Sequence, residues 1–192
     1  MKRIVIFASG SGTNAENIIK YFQRTKVAKV TLVLSNKSAA NVLVRAKKLS
    51  IPSKTFNKSE FINSDRIITI LRNELPDLIV LAGFLLKFPK TILKDFPNKV
   101  INIHPALLPK YGGKGMYGML VHESVVKNKE SETGITIHYV NENYDEGTII
   151  FQKSFQLSEN DTSESVANKI HELEYEFFPK VIEEILKKNK YK

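Results

Sequence analysis

The 192-residue chain contains no cysteine. Disulfides and thiolate zinc sites are therefore excluded, and the cytoplasm is the expected location. No apolar run approaches the roughly 18–20 residues of a membrane span, so no membrane partner is expected. The opening MKRIVIFASG has basic residues before an apolar stretch, but that stretch covers only Ile4 to Ala8 and meets a glycine-rich turn. It reads as a first β-strand and not as a signal peptide. Internal repeats and linkers are missing, and the only biased stretch is a lysine-rich tail. One domain over 1–192 is expected, large enough for a substantial core.

Charge is abundant and mostly basic. Lys and Arg number 29 against 20 Asp and Glu, a net +9. Lys187, Lys188, Lys190 and Lys192 fall in the last six residues, leaving 25 basic against 20 acidic residues elsewhere, a net +5. Such a body suits anionic small molecules or is simply a solvated surface. No recognition motif and no basic–aromatic interleaving points to nucleic acid.

Strand and helix signals alternate. KRIVIFA lacks polar alternation, as a strand buried on both faces should. SGSGTN is a turn, Asn14 to Phe22 a helix, KVTLVLSN a strand, Asn41 to Leu49 a helix and IPSKTF a short extended piece. Ser59 to Asn73 reads as one helix; LIVLAG and Val100 to Ile103 are further buried strands. This order predicts an α/β, doubly wound, mostly parallel Rossmann-like sheet with helices on both faces. TGITIHYV and IIFQKSFQL add an antiparallel pair, with a turn between them at Asp145–Gly147. A long helix over 161–189 follows, with Asp161 and Glu164 as a capping box and Val166, Ile170, Leu173, Phe177 and Val181 as its core stripe. Pro179 should kink or break it. Between Lys110 and Thr133 a segment with four glycines opens a loop, and LVHESVVKNK reads as a helix.

Doubly wound sheets bind ligands at the carboxyl ends of their strands. SGSGTN, AGF and HPA all sit there and should converge. The first is no Walker loop, and it lacks the third glycine of a dinucleotide fingerprint. Gly12, Thr13 and Asn14 fit a single phosphate at a helix N-terminus, or a helix start capped for stability. Asn102 and His104 alternate onto one face of their strand. They could stabilise a carbonyl oxygen that turns negative, or be a satisfied core histidine beside a loop-holding amide. Asp145 sits in a turn, where Asp is common; its functional reading needs it beside His104, raising the imidazole pKa. His138 reads as structural or supporting, His122 as a surface-helix residue. His171 and Glu174 share a helix face. Scattered histidines and carboxylates make no metal pattern, so no metal is expected.

The turn SGSGTN, the LAGF stretch from Leu81, the NIHPALLPKY run from Asn102 and the DEGTII run from Asp145 follow one another at a spacing that resembles the folate-dependent formyltransferases. The SGxGTN-type turn resembles the phosphoribosylglycinamide formyltransferase branch, and the resemblance covers nearly the whole chain. It implies formyl transfer from 10-formyltetrahydrofolate to the amine of glycinamide ribonucleotide in purine (IMP) synthesis, with no metal. By that resemblance Gly12, Thr13 and Asn14 hold the ribose phosphate, and His171 and Glu174 meet the ribose. Leu85, Leu86, Lys87 and Phe88, with Asn141, Glu142, Asn143, Tyr144 and Asp145, cradle the pterin largely through backbone, next to Asn102. Asn102, His104 and Asp145 form the catalytic trio: Asn102 donates to the oxyanion, His104 as imidazolium is the proton donor, and Asp145 raises the His104 pKa and assists proton transfer. Residues 1–100 then form the ribonucleotide-phosphate half and 101–192 the catalytic and folate half. Leu86 stands where many relatives carry arginine, and 110–133 is longer than in better-known bacterial relatives. Lys58 and Arg66 both suit the family's basic position in 58–66. A formyltransferase acting on methionyl-tRNA would need an added C-terminal domain, for which 192 residues leave no room. A non-catalytic nucleotide-binding protein would leave the trio without a purpose. Monomer and homodimer are both compatible with the sequence.

Overall fold

A computed structural model describes residues 1–188. Asn189, the last residue of the expected long helix, and the tail lysines Lys190 and Lys192 lie outside the described residues. In chain order the elements are β1 (Lys2–Phe7), α1 (Thr13–Thr25), β2 (Ala28–Ser35), α2 (Asn41–Lys48), β3 (Ser53–Thr55), α3 (Lys58–Asn63) and α4 (Asp65–Glu74). Then come β4 (Leu78–Leu81), α5 (Lys90–Asp95), β5 (Val100–His104), α6 (Met119–Lys127), β6 (Glu132–Tyr139), β7 (Ile149–Gln156) and α7 (Ser163–Lys188).

The strands form one seven-stranded sheet in the order β3-β2-β1-β4-β5-β6-β7. β1 to β5 are parallel; β6 and β7 are antiparallel additions, as the sequence predicts. Successive side chains of β1 point to opposite faces. Ile4 and Ile6 enter one core cluster with α1 and α7, and Val5 and Phe7 enter another. The second cluster is aromatic: the Phe7 ring lies 5.3 Å from Phe88 and 5.4 Å from Phe84, both edge-on. That geometry adds roughly 0.5–1.5 kcal/mol per pair beyond burial.

The expected helix over Ser59–Asn73 is two helices. Ser64 takes a left-handed φ of 57° between α3 and α4, and its Oγ lies 2.5 Å from Thr91 Oγ1. The reorientation lets Phe61 and Ile67 both reach the aromatic cluster. The capping box assigned to Asp161 and Glu164 is also displaced. Thr162 and Ser165 exchange backbone-to-hydroxyl bonds at 3.0 and 3.2 Å. Asp161 instead accepts from Lys169 Nζ at 2.7 Å and from the Ser158 N–H at 2.9 Å. α7 runs through Pro179 without a break. Its buried line passes through Glu174 and Phe178, with Leu173 and Phe177 at its margin.

Candidate active site

β1 and β4 are neighbours, yet the chain leaves them toward opposite edges of the sheet. Their carboxyl ends therefore flank a crevice. The Ser9 N–H donates to Gly83 O at 2.9 Å, and Ser9 Oγ accepts from the Leu85 N–H at 3.0 Å. These bonds fix the two loops that form its floor. A cavity of about 650 Å³ lies above them.

At one end is the turn before α1. Gly12 has φ of 75°, and a Cβ there would overlap Val42. Only glycine combines that backbone with that approach. Gly12 is the N-cap of α1 and no side chain caps it, so first-turn N–H groups are left for a ligand. Arg45 braces the turn from outside, donating to Ser11 O at 2.9 Å and pairing with Glu16. Asn14 Nδ2 donates to Glu174 Oε2 at 2.8 Å, whereas Asn14 Oδ1 is sealed without a partner. Burial pushes the Glu174 carboxyl up to about 7, against the opposing effect of the Asn14 bond. His171, one turn earlier on α7, borders the same cavity.

At the other end β5 delivers Asn102 and His104. His104 is 4% exposed. Its Nε2 lies 2.7 Å from Tyr111 O, and since a carbonyl only accepts, Nε2 carries the proton. Nδ1 faces Asp145 Oδ2 at 3.7 Å. Asp145 does push the ring pKa up, as expected, but burial outweighs it and the pKa lies below the ordinary histidine value. Burial thus works against the imidazolium that the resemblance implies. Asp145 has a left-handed φ of 57° and accepts the Gly113 N–H at 2.9 Å, which joins its turn to the glycine-rich loop. At Gly147 a Cβ would overlap Tyr139 O, so that turn also requires glycine.

Two histidines mean more here than their sequence context suggests. His138, across the β5–β6 ladder from Asn102, donates from Nδ1 to Tyr139 O at 2.9 Å. Its Nε2 then accepts from Asn102 Nδ2 at 3.1 Å, which sets the orientation of the amide. The register of two antiparallel strands makes this pair, and a single strand read alone does not reveal it. His122 is 3% exposed on the inner face of α6, not on its surface. The signal was its place between Val121 and Val125, both buried. Thr136 supports the site as well: its Oγ1 donates to Ala106 O at 2.7 Å and accepts the Leu108 N–H at 3.0 Å, holding the HPALLP loop.

The expected folate stretches divide. Leu85, Asn102, Tyr144 and Asp145 line the main cavity. Lys87, Phe88, Glu142 and Asn143 border an adjoining groove of about 440 Å³, while the Phe88 ring itself lies in the aromatic core. Lys87 Nζ sits 5.9 Å over the Tyr144 ring, and Lys90 pairs with Glu142. Leu86 packs against the aromatic cluster, and Asn141 accepts the Asn143 N–H at 2.9 Å. Arg66 pairs with Glu60, while Lys58 opens α3. Among the described residues no group of three or more His, Asp or Glu is placed to hold a metal, and no helix is long and apolar enough to cross a membrane.

The uncapped turn before α1, the switch-point cavity and the polar cluster on β5 form one α/β site, and the formyl transferase family pattern matches residues 2–182. The chain belongs to that family. Its relatives include the phosphoribosylglycinamide formyltransferase of Bacillus subtilis, 37% identical over 191 residues, covering 97% of this chain and 95% of that one. The chloroplastic phosphoribosylglycinamide formyltransferase of Arabidopsis thaliana is 34% identical over 94% of this chain, which spans 64% of the plant protein. The crystal structure of phosphoribosylglycinamide formyltransferase from Anaplasma phagocytophilum superposes with a TM-score of 0.88 at 32% identity, covering 97% of this chain and 88% of that one.

Proposed function

We propose that the protein transfers a formyl group from 10-formyltetrahydrofolate to the amine of 5′-phosphoribosylglycinamide, in purine synthesis in the cytoplasm, with small molecules and neither nucleic acid nor membrane as partners. The observation that carries this is the single cavity with the uncapped Gly12–Asn14 turn at one end and Asn102, His104 and Asp145 at the other. In this reading one end takes a monophosphate and the other an acyl oxygen.

In this reading first-turn N–H groups of α1 hold the phosphate. Glu174 and His171 meet the ribose. The pterin lies along Leu85–Phe88 and Asn141–Asp145. The molecule works as one unit: residues 1–100 bring the phosphate turn and 101–192 the trio. The neutral amine attacks the formyl carbon, forming a C–N bond and an oxyanion beside a new ammonium. Asn102, its amide oriented by His138, donates to that oxygen. His104 enters neutral with its Nδ1 lone pair free, takes up the amine proton with help from Asp145, and becomes a charged donor as the negative charge develops. A charged hydrogen bond is worth roughly 1.5–3 kcal/mol. The proton then goes to folate N10 as the C–N10 bond breaks. The formyl donor is already activated, so no metal is needed.

The test is an acceptor comparison. Purified protein should formylate glycinamide ribonucleotide and leave methionyl-tRNA unformylated. Formylation of the tRNA, or of neither acceptor by folded protein, would refute the proposal.

A further inference from the structure

The short segment from Tyr111 to Gly113 holds both His104 and Asp145. The Tyr111 carbonyl accepts from His104 Nε2 at 2.7 Å, and the Gly113 N–H donates to Asp145 Oδ2 at 2.9 Å. Gly112 lies between them, where a Cβ would press on Leu108 and Asp145. The position of this strap therefore sets which acceptor His104 meets.

Tyr111 has a left-handed φ of 57°, unfavourable for a residue with a Cβ, so its surroundings must hold it there. Its ring packs on Ala106, Val121 and Val125. Its hydroxyl donates to Glu130 Oε1 at 2.9 Å and accepts from Asn128 Nδ2 at 2.8 Å. Lys110 Nζ holds the other Glu130 oxygen at 3.0 Å. Asn128 is the C-cap of α6, and Glu130 lies just before β6, so the hydroxyl ties the strap to two fixed elements. Tyr111, Asn128 and Glu130 do not border the cavity.

A neutral imidazole has one N–H, yet His104 stands between two acceptors. Tyr111 O lies 2.7 Å from Nε2, within hydrogen-bond range, and Asp145 Oδ2 lies 3.7 Å from Nδ1, outside it. At equal distance the carboxylate would be the stronger acceptor. The proton therefore stays on Nε2 only while the strap keeps the carbonyl close. A swap to Nδ1 would turn the N–H toward Asp145 and remove the lone pair that the proposed reaction uses.

We infer that Tyr111 is a positioning residue: its clamped hydroxyl holds the carbonyl that keeps the proton of neutral His104 on Nε2, leaving Nδ1 free for the substrate amine. The catalytic part of this rests on the proposed role of His104. The choice of tautomer is measurable without substrate.

The test pairs nitrogen-15 NMR of the histidine rings with steady-state kinetics. At about pH 8.5, well above the ordinary histidine pKa of about 6.5, the spectrum of ligand-free protein reads the His104 tautomer. Wild type should show one form, protonated on Nε2. Tyr111→Phe keeps the ring packing and removes both hydroxyl bonds; the Nδ1–H form should become the major one. Its kcat should fall about fivefold, the scale of one neutral hydrogen bond, while KM for each substrate stays within about twofold. Glu130→Gln, whose amide oxygen can still accept the hydroxyl, should keep the wild-type tautomer and most of the activity. Glu130→Leu should follow Tyr111→Phe, and it stands in should that variant not fold. A wild-type ring protonated on Nδ1 overturns the inference whether or not any variant folds. So does a fall in kcat with the tautomer unmoved, which marks a merely structural role, or a moved tautomer with wild-type kcat; each leaves the proposed reaction intact. Absent turnover of the ribonucleotide by wild type would overturn the reaction and the catalytic use of the tautomer, while the spectrum alone decides whether Tyr111 selects it.

Discussion

Glu174→Gln should make the protein more stable and the enzyme worse, and the stability gain should depend on pH. The Glu174 carboxyl is 7% exposed and its pKa is pushed from 4.5 to about 7. A folded-state pKa above the unfolded one means that, between those values, the folded protein holds a proton that the unfolded chain has released. Wild-type stability therefore falls as pH rises through that window. Above it, both states are ionised and the full burden remains. At about 1.4 kcal/mol per tenfold change in proton affinity, that burden is about 3 kcal/mol. Gln keeps the oxygen that accepts from Asn14 Nδ2 and never ionises. The unfolding free energy of the variant minus that of wild type should thus be about 3 kcal/mol larger at pH 8 than at pH 4.5. Urea unfolding across that range measures it, and other titrating groups cancel in the difference. A difference constant with pH to within 1 kcal/mol would refute the reasoning. The functional counterpart is a raised KM for the ribonucleotide, because a carboxylate accepts from ribose hydroxyls better than an amide does. Keeping a buried carboxylate at this cost is the stability–function compromise that binding sites often show.

Other perturbations act on other parts of the site. Gly12→Ala forces a side chain into Val42 and into a left-handed backbone; thermal unfolding should report a loss of more than 1 kcal/mol, with ribonucleotide binding weakened in calorimetry. Asn14→Ala should raise KM for the ribonucleotide far more than for the folate, and equal effects in steady-state kinetics would count against a phosphate turn. His138→Phe removes the acceptor that orients Asn102; kcat should drop at least tenfold, while the KM of each substrate moves little.

The sheet was legible in the sequence because parallel strands buried on both faces read as unbroken apolar runs. Val5 and Ile6 need no structure to be placed in a core. The carboxyl-end rule likewise led from Asn102 and His104 to a crevice. What stayed hidden depends on tertiary contacts. Ser64 splits a periodic segment into two helices through one left-handed residue and a hydroxyl contact with Thr91. Asp145 and His104 meet only because a turn folds back beside the β5 end. The direction of the His104 shift is not legible, because sequence names the neighbouring carboxylate but not the burial that outweighs it. His122 and His138 sat in segments whose inward faces become clear only once α6 and β6 are packed.

The central claim is that Asn102 and His104 stabilise a formyl oxygen as it becomes negative. Its most direct test is kcat for formyl transfer from 10-formyltetrahydrofolate to glycinamide ribonucleotide, measured at saturation for wild type, Asn102→Ala and His104→Ala. The account predicts wild-type turnover, and a loss of roughly 10²–10³ in each variant, with both variants folded. Folded variants that turn over at the wild-type rate would contradict it.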